Sequence, residues 1–368
     1  MKIGIYTQPL HTNYGGILQA YALQTVLEKL GHKVVILKKP HERRVPIFKR
    51  PFSYGKRFIK KYLFHQKCRI FKEKYFNQTY YIVGQNTLEF INKHIHMLPL
   101  TELKASEIDL LIVGSDQVWR PIYNHPIEDS YLDFAKKWPI KRIAYAASFG
   151  TDQWEYTPRQ TARCKRLLKQ FSAISVREST GVDLCQKYFN MQAKLVLDPT
   201  MLLDKDAYTG LIKANITSKT SGNLLIYILD ESSEKQELIK EISKTQNYIP
   251  FRVNSLVENH YAPLEQRIQP PVEDWLQGFN NADFIITDSF HACAFSIIFN
   301  KPFIVYGNKE RGYTRFQSLL SLFGLESRLI TSKEEALNIV NNPINWSQVN
   351  SKREQMKNIS LSFLKHNI

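Results

Sequence analysis

The chain has 368 residues, of which 43% are hydrophobic and 23% charged, and it carries a formal net charge of +16. That length exceeds one ordinary core and suits two domains, while the composition excludes a disordered or fibrous chain. No run of 18 or more uncharged apolar residues occurs, and the opening "MKIGIYTQPL" lacks the apolar centre of a signal peptide, so a cytoplasmic location is expected.

In chain order, "KIGIYT" reads as a buried strand, the loop "QPLHTNYGG" follows, and "ILQAYALQTVLEKLG" is an amphipathic helix stopped by Gly31. "HKVVIL" is the next strand, and strand–helix–strand predicts a parallel sheet with a right-handed crossover. Between Lys38 and Lys74 stand fourteen Lys or Arg against Glu42 and Glu73, so three quarters of the excess charge sits in a tenth of the chain. Phe48, Phe52, Tyr54, Phe58, Tyr62, Phe64 and Phe71 interleave these cations, and "RFIKKYLFHQKCRIF" can fold as a helix with one apolar and one basic face. The segment reads as a surface for an anionic membrane or a lipid diphosphate, or as a packed helix with a solvated face. Nucleic acid is not expected, because no nucleic-acid-binding fold accompanies the charge.

Alternation then resumes with "IDLLIVGSDQVW", "KRIAYAASFG", "SAISVREST" and "AKLVLDPTMLL". After a polar stretch over 213–223, a second half follows: "NLLIYILD", the helical "SSEKQELIKEISKT", the strand "YIPFRVNS", the helical "VEDWLQGFNNA", the strand "DFIITDS", the helical "HACAFSIIFN" and the strand "KPFIVYG". The reading is α/β with two Rossmann-like doubly wound domains, 1–203 with a basic insertion at about 38–76, and 204–342, followed by a helical tail at 343–368. Open parallel sheets bind ligands at the carboxyl ends of their strands, so the cleft between the domains is the expected site.

The candidates are polar residues in those terminal loops. In the first turn, Asn13, Gly15 and Gly16 let backbone N–H groups approach an anion at a helix start, though a plain glycine turn is equally open. Asp116 is a candidate general base or sugar ligand with Trp119 as an apolar platform; helix capping by Ser115 or Asp116 is the alternative. Arg177, one residue past a strand, offers a planar fork for carboxylate or phosphate, or an ion pair with Glu178. His291, flanked by Asp288 and Ser289, opens a small-residue helix and can move a proton near neutral pH. Lys309, Arg311 and Arg315 in "YGNKERGYTRF" suit a multiply charged anion, or form a solvated loop. The four cysteines lack CxxC spacing and read as reduced thiols, and His94 and His96 have no third ligand nearby, so no metal site is assigned.

In this order, "NYGGILQAYAL", "GSDQVW", "YAASFG", "SVRES", "LDPT" and "TDSFHACAFSIIFNKPFI" resemble the polysaccharide pyruvyl transferase family over about residues 3–325. The resemblance implies a GT-B-like fold and transfer of pyruvate from phosphoenolpyruvate to a sugar hydroxyl pair as a ketal, with the donor as substrate and no cofactor. It implies that Arg177 holds the donor's carboxylate or phosphate, that His291 transfers protons or contacts the ligand, and that Lys309 matches a family lysine. Many members carry an arginine two residues before the histidine; this chain has Ser289 there, leaving Arg311 or Arg315 to substitute. The acceptor implied is a sugar of a cell-surface polysaccharide or its lipid-linked precursor, with the enzyme peripheral on the inner membrane face. The alternatives are a GT-B glycosyltransferase using a nucleotide sugar and a non-catalytic module docking at the membrane.

Overall fold

A computed structural model describes residues 1–212, 222–307 and 312–368. The first domain runs β1 (Lys2–Tyr6), α1 (Tyr14–Lys29), β2 (Lys33–Lys38), α2 (Arg50–Tyr62), α3 (Lys72–Val83), α4 (Gln85–His94), β3 (Met97–Pro99), β4 (Leu110–Val113), β5 (Lys141–Ala147), α5 (Pro158–Leu168), β6 (Ala173–Val176), α6 (Ser179–Leu184) and β7 (Lys194–Leu195). A 3-10 turn at Pro199–Leu202 and α7 (Lys205–Ile212) lead to the second. It contains β8 (Leu224–Tyr227), α8 (Ser233–Gln246), β9 (Pro250–Phe251), α9 (Val272–Asn281), β10 (Phe284–Thr287), α10 (Phe290–Ile298), β11 (Phe303–Tyr306), α11 (Tyr313–Phe323), β12 (Leu329–Ile330), α12 (Lys333–Ile339) and the long α13 (Trp346–Asn367).

Among the described residues every strand pairing is parallel, as in Ile5 against both Ile36 and Ile112. Strands β4, β8, β10 and β11 are buried at every residue, which is why they read as unbroken apolar runs: helices cover both faces of the sheet. The first sheet has the order β3-β2-β1-β4-β5-β6-β7 and the second β12-β11-β10-β8-β9. Both are doubly wound, and each reverses its winding at one place, between β1 and β4 in the first and between β8 and β10 in the second. Ligands of such sheets lie in the crevice beyond that switch point.

The two domains share apolar packing. Tyr14 of α1 stacks on Trp275 of α9 and donates its hydroxyl to the Pro270 carbonyl at 2.8 Å. The C-terminal helix returns to the first domain, where Ser360 Oγ accepts the Leu197 N–H at 2.9 Å and Arg353 and Lys357 pair with Asp204.

Two local expectations shift. The basic helix lies at Arg50–Tyr62, earlier than the "RFIKKYLFHQKCRIF" stretch, because Phe64 N–H closes back on the Ile59 carbonyl and His65 adopts a left-handed conformation (φ 47°), which ends the turn. Within "YIPFRVNS" only Pro250–Phe251 pairs as strand, at the edge beside β8. No described helix is long and apolar enough to cross a membrane.

Candidate active site

Side chains stitch together the loops after β1 and β4 where the first sheet reverses. Gln19 of α1 donates from Nε2 to Thr7 Oγ1 (2.9 Å) and accepts the Ser115 N–H on Oε1 (3.0 Å), while Thr7 donates to the Ser115 carbonyl (3.1 Å). The turn is tight: a Cβ on Gly114 (φ 125°) would lie 2.0 Å from the Tyr145 carbonyl oxygen. Asp116 follows with φ 68°, a left-handed backbone that a non-glycine residue adopts only when its surroundings impose it.

That backbone aims Asp116 at a buried charge network. Arg177, just past β6, donates from Nη2 to Asp116 Oδ1 (3.0 Å) and from Nη1 to Asp198 Oδ2 (2.7 Å), with Glu178 Oε2 3.8 Å from Nε. Its guanidinium lies over the Phe290 ring from the second domain, 4.4 Å from the centroid. Asp198 Oδ1 accepts from the Thr200 N–H (3.0 Å) and hydroxyl (2.8 Å), so the Asp-Pro turn after β7 fixes the carboxylate before any ligand arrives. Ser115 Oγ stands 3.1 Å from Asp198 Oδ2. Burial alone would raise both carboxyls, but His291 and Arg177 outweigh it and hold Asp198 far below the usual carboxylate range; Arg177 and His291 likewise hold Asp116 down.

His291 completes the network from the opposite domain. It sits in the first turn of α10, its Nε2 3.7 Å from Asp198 Oδ2, which is ion-pair distance but too long for a hydrogen bond. Nε2 is buried and has no hydrogen-bond partner among the described residues. The other side of the ring rests on Gly15, where an added Cβ would lie 2.0 Å from Nδ1. The two switch points therefore meet at an imidazole, two carboxylates and a guanidinium.

The remaining candidates divide. Asn13 caps α1, accepting the Gly16 N–H on Oδ1 (3.2 Å), and a Cβ added at Gly16 would come no nearer than 3.6 Å to Asn13. Ser289 caps α10 through the Ala292 N–H. Arg315, at the start of α11, is partly exposed and lies 5.9 Å from the Phe290 centroid. Burial of its guanidinium and repulsion by Arg177 push its pKa down to about 10, so it remains a cation, and among the described residues its Nε has no hydrogen-bond partner. Lys309 and Arg311 lie outside the described residues.

Three expectations need correction. Trp119 is no ligand platform: it is fully buried, stacked on Tyr131, and donates its indole N–H to the Ser130 carbonyl. Asp288 does not serve His291; it accepts the N–H groups of Leu229 and Asp230 and pairs with Lys235 at 2.7 Å, tying down the loop after β8. Arg177 is not an open anion fork, because both Nη groups are already taken by carboxylates. Asp198 was missed as a site residue; the signal available was its place in "LDPT", an Asx-capped turn at a strand's carboxyl end. Among the described residues no cluster of three or more metal-ligating side chains occurs.

A family model described as polysaccharide pyruvyl transferase matches residues 13–310. Solved structures similar in fold include the UDP-GlcNAc 2-epimerase from Methanocaldococcus jannaschii, at TM-score 0.51 and 13% identity with 100% of both chains covered. Arabidopsis thaliana UGT89C1 complexed with UDP-L-rhamnose gives 0.52 at 8% identity, covering 99% of this chain and 97% of that one. The glycotransferase of kitacinnamycin gives 0.51 at 11% identity over 100% and 99%. These likenesses show the two-domain GT-B fold. No curated protein matches the sequence significantly.

Proposed function

The chain belongs to the polysaccharide pyruvyl transferase family, and from that premise we propose that it transfers pyruvate from phosphoenolpyruvate to two hydroxyls of a sugar in a cell-surface polysaccharide or its lipid-linked precursor. The observation that carries this reading is the interdomain network in which His291 faces Asp198 at 3.7 Å beside Arg177 and Arg315, whose Nε has no partner among the described residues. The reaction needs a proton for the enol methylene, removal of protons from two hydroxyls, and stabilisation of positive charge at C2. One hydroxyl adds to C2 as the methylene carbon takes a proton; the second hydroxyl replaces phosphate, which leaves as the inorganic ion.

Under this reading His291 is the proton carrier. Its ring lies in the interdomain network 3.7 Å from Asp198 Oδ2, and the ionised Asp198 lies where it stabilises positive charge developing nearby. Asp116 is a poor base near neutrality because Arg177 pulls its pKa down, so its part is to hold Arg177 and, through it, Asp198. The donor's two anionic groups fall to Arg315 and to the N–H groups at the start of α10, where the helix field is positive. Arg315 supplies the cation that relatives carry two residues before the histidine, where Ser289 here is a helix cap. Lys309 and Arg311 adjoin Arg315 in sequence and are proposed to add to the same grip.

Ligand-dependent melting tests the donor. Phosphoenolpyruvate should raise the melting temperature of the wild-type chain and, at the same concentration, raise that of Arg315→Ala much less. Stabilisation by nucleoside diphosphates with none from phosphoenolpyruvate would replace the proposal by nucleotide-sugar transfer.

A further inference from the structure

Away from the cleft, a cavity of about 530 Å³ lies between the basic insertion and residues 260–267 of the second domain. Arg43, Lys56, Lys60, Arg69, Lys72 and Arg267 line it, and among the described residues none of the six makes an ion pair. Its lining carboxylate, Glu73, is taken by Arg57, which donates to both oxygens at 2.7 Å. Arg267 is only 3% exposed, yet its partners are neutral: the Tyr75 hydroxyl (2.7 Å), the Val257 carbonyl (3.4 Å) and His260 Nδ1 (3.1 Å), with Nε unpartnered. Arg69 lies 3.7 Å from the Tyr75 ring centroid, and its Nε also lacks a partner. Burial and the charges of Arg267, Arg43 and Arg69 hold the His260 imidazole below its usual range, a second sign of the cationic field. A buried guanidinium without a carboxylate is costly, and the arrangement calls for a multiply charged anion.

Helix α2 forms one wall, and its two faces differ. Ser53, Lys56, Arg57 and Lys60, spaced as one helical face, look into the cavity. Phe52 and Ile59 form a stripe on the adjacent face, with Phe48 before the helix and Leu63 after it, and Phe48, Phe52 and Leu63 are 74%, 82% and 71% exposed. No residue of α2 is buried. Soluble phosphate would answer the cavity but leave that stripe in water. A bilayer answers both: interfacial helices place aromatic and aliphatic side chains at the acyl boundary and cations at the phosphates.

We propose that this cavity binds the phosphate-bearing headgroup of a membrane lipid while α2 lies in the headgroup layer with its apolar stripe toward the acyl chains. The inference deepens the transferase reading only in what such a lipid carries. Phe76 of the lining stands edge-on to His11, centroids 6.5 Å apart, and His11 belongs to the loop that leads to Asn13 and Gly15. Through that contact the cavity's lining borders the loop that precedes Asn13.

Vesicle flotation with the full chain tests it without turnover. Phosphatidylcholine vesicles are compared with vesicles containing phosphatidic acid or phosphatidylserine, with and without soluble inorganic pyrophosphate. The wild type should float with phosphatidic acid, roughly tenfold more weakly with phosphatidylserine, whose headgroup phosphate is a diester, and pyrophosphate should compete. Lys56→Gln with Lys60→Gln should weaken binding about thirtyfold, the attraction of two surface cations. Phe52→Ser with Ile59→Ser should abolish flotation while pyrophosphate binding, followed by calorimetry, persists. These positions are exposed, so melting temperatures should not change, and transfer to a soluble sugar should be unaffected. Equal binding to both anionic lipids unaltered by the lysine changes would overturn the proposal, as would pyrophosphate binding with no flotation, or binding of single-stranded RNA in place of vesicles. None of these outcomes bears on donor use in the cleft, so each proposal fails separately.

Discussion

The imidazole of His291, from the second domain, rests directly on the bare Cα of Gly15 in the first, so that any side chain at position 15 would occupy the space of the ring. Gly15 thus makes room for a ring of the opposite domain. Gly15→Ala should preserve the fold, since alanine suits the first turn of a helix, yet it must displace the ring. Loss of turnover of about a hundredfold is expected, the usual consequence of misplacing a reacting group by an ångström. Steady-state kinetics beside an unchanged circular dichroism spectrum checks this; full activity would separate His291 from the reaction.

Arg315 and Arg177 should behave oppositely. Removing Arg315, whose Nε has no partner among the described residues, should raise the KM for the donor by about ten- to a hundredfold, the worth of a charge-assisted hydrogen bond, with little change in stability. Removing Arg177 strands Asp116 and Asp198 in a buried site and should lower stability by about 3–5 kcal/mol. Urea unfolding of both variants, with donor titrations, distinguishes them.

Asp198 gives the network a pH signature. Its carboxyl is held below the unfolded range near 3.9, so its ionised form stabilises the fold fully above about pH 4, and that contribution is lost as pH falls through the lowered value. Asp198→Asn should be less stable than wild type by about 3–5 kcal/mol at neutral pH, with the gap closing on acidification. A gap constant between pH 7 and 3 would contradict the ion-pair account.

Trp119 is a stability residue in this account. Trp119→Ala should cost about 3–5 kcal/mol through the cavity it leaves against Tyr131 and Phe149, and enough folded enzyme at low temperature should keep its donor KM.

The strands were legible because parallel sheets covered on both faces demand unbroken apolar runs, and "LLIV", "FIIT" and "FIVY" are such runs. The loops at their carboxyl ends follow from the same topology, which is why Asp116, Arg177 and His291 could be picked out and do converge. Their partners could not be read: Arg177 meets Asp198 only through the turn after β7, and Trp119 turns inward only because Tyr131 and Ser130 receive it. Local sequence records that a residue is polar and near a strand end, whereas its partner depends on contacts far along the chain. The basic segment was legible as charge and amphipathicity, but its cavity needs Arg267 and His260 from nearly two hundred residues away.

The central claim is tested most directly by mass spectrometry of a sugar acceptor incubated with phosphoenolpyruvate and the purified chain, with inorganic phosphate measured in the same sample. Wild type should add one pyruvate less one water to the acceptor for each phosphate released, and His291→Ala, folded but lacking the proton carrier, should do neither. Ketal formation that survives in His291→Ala, or an acceptor that gains a sugar instead of pyruvate, would contradict the account.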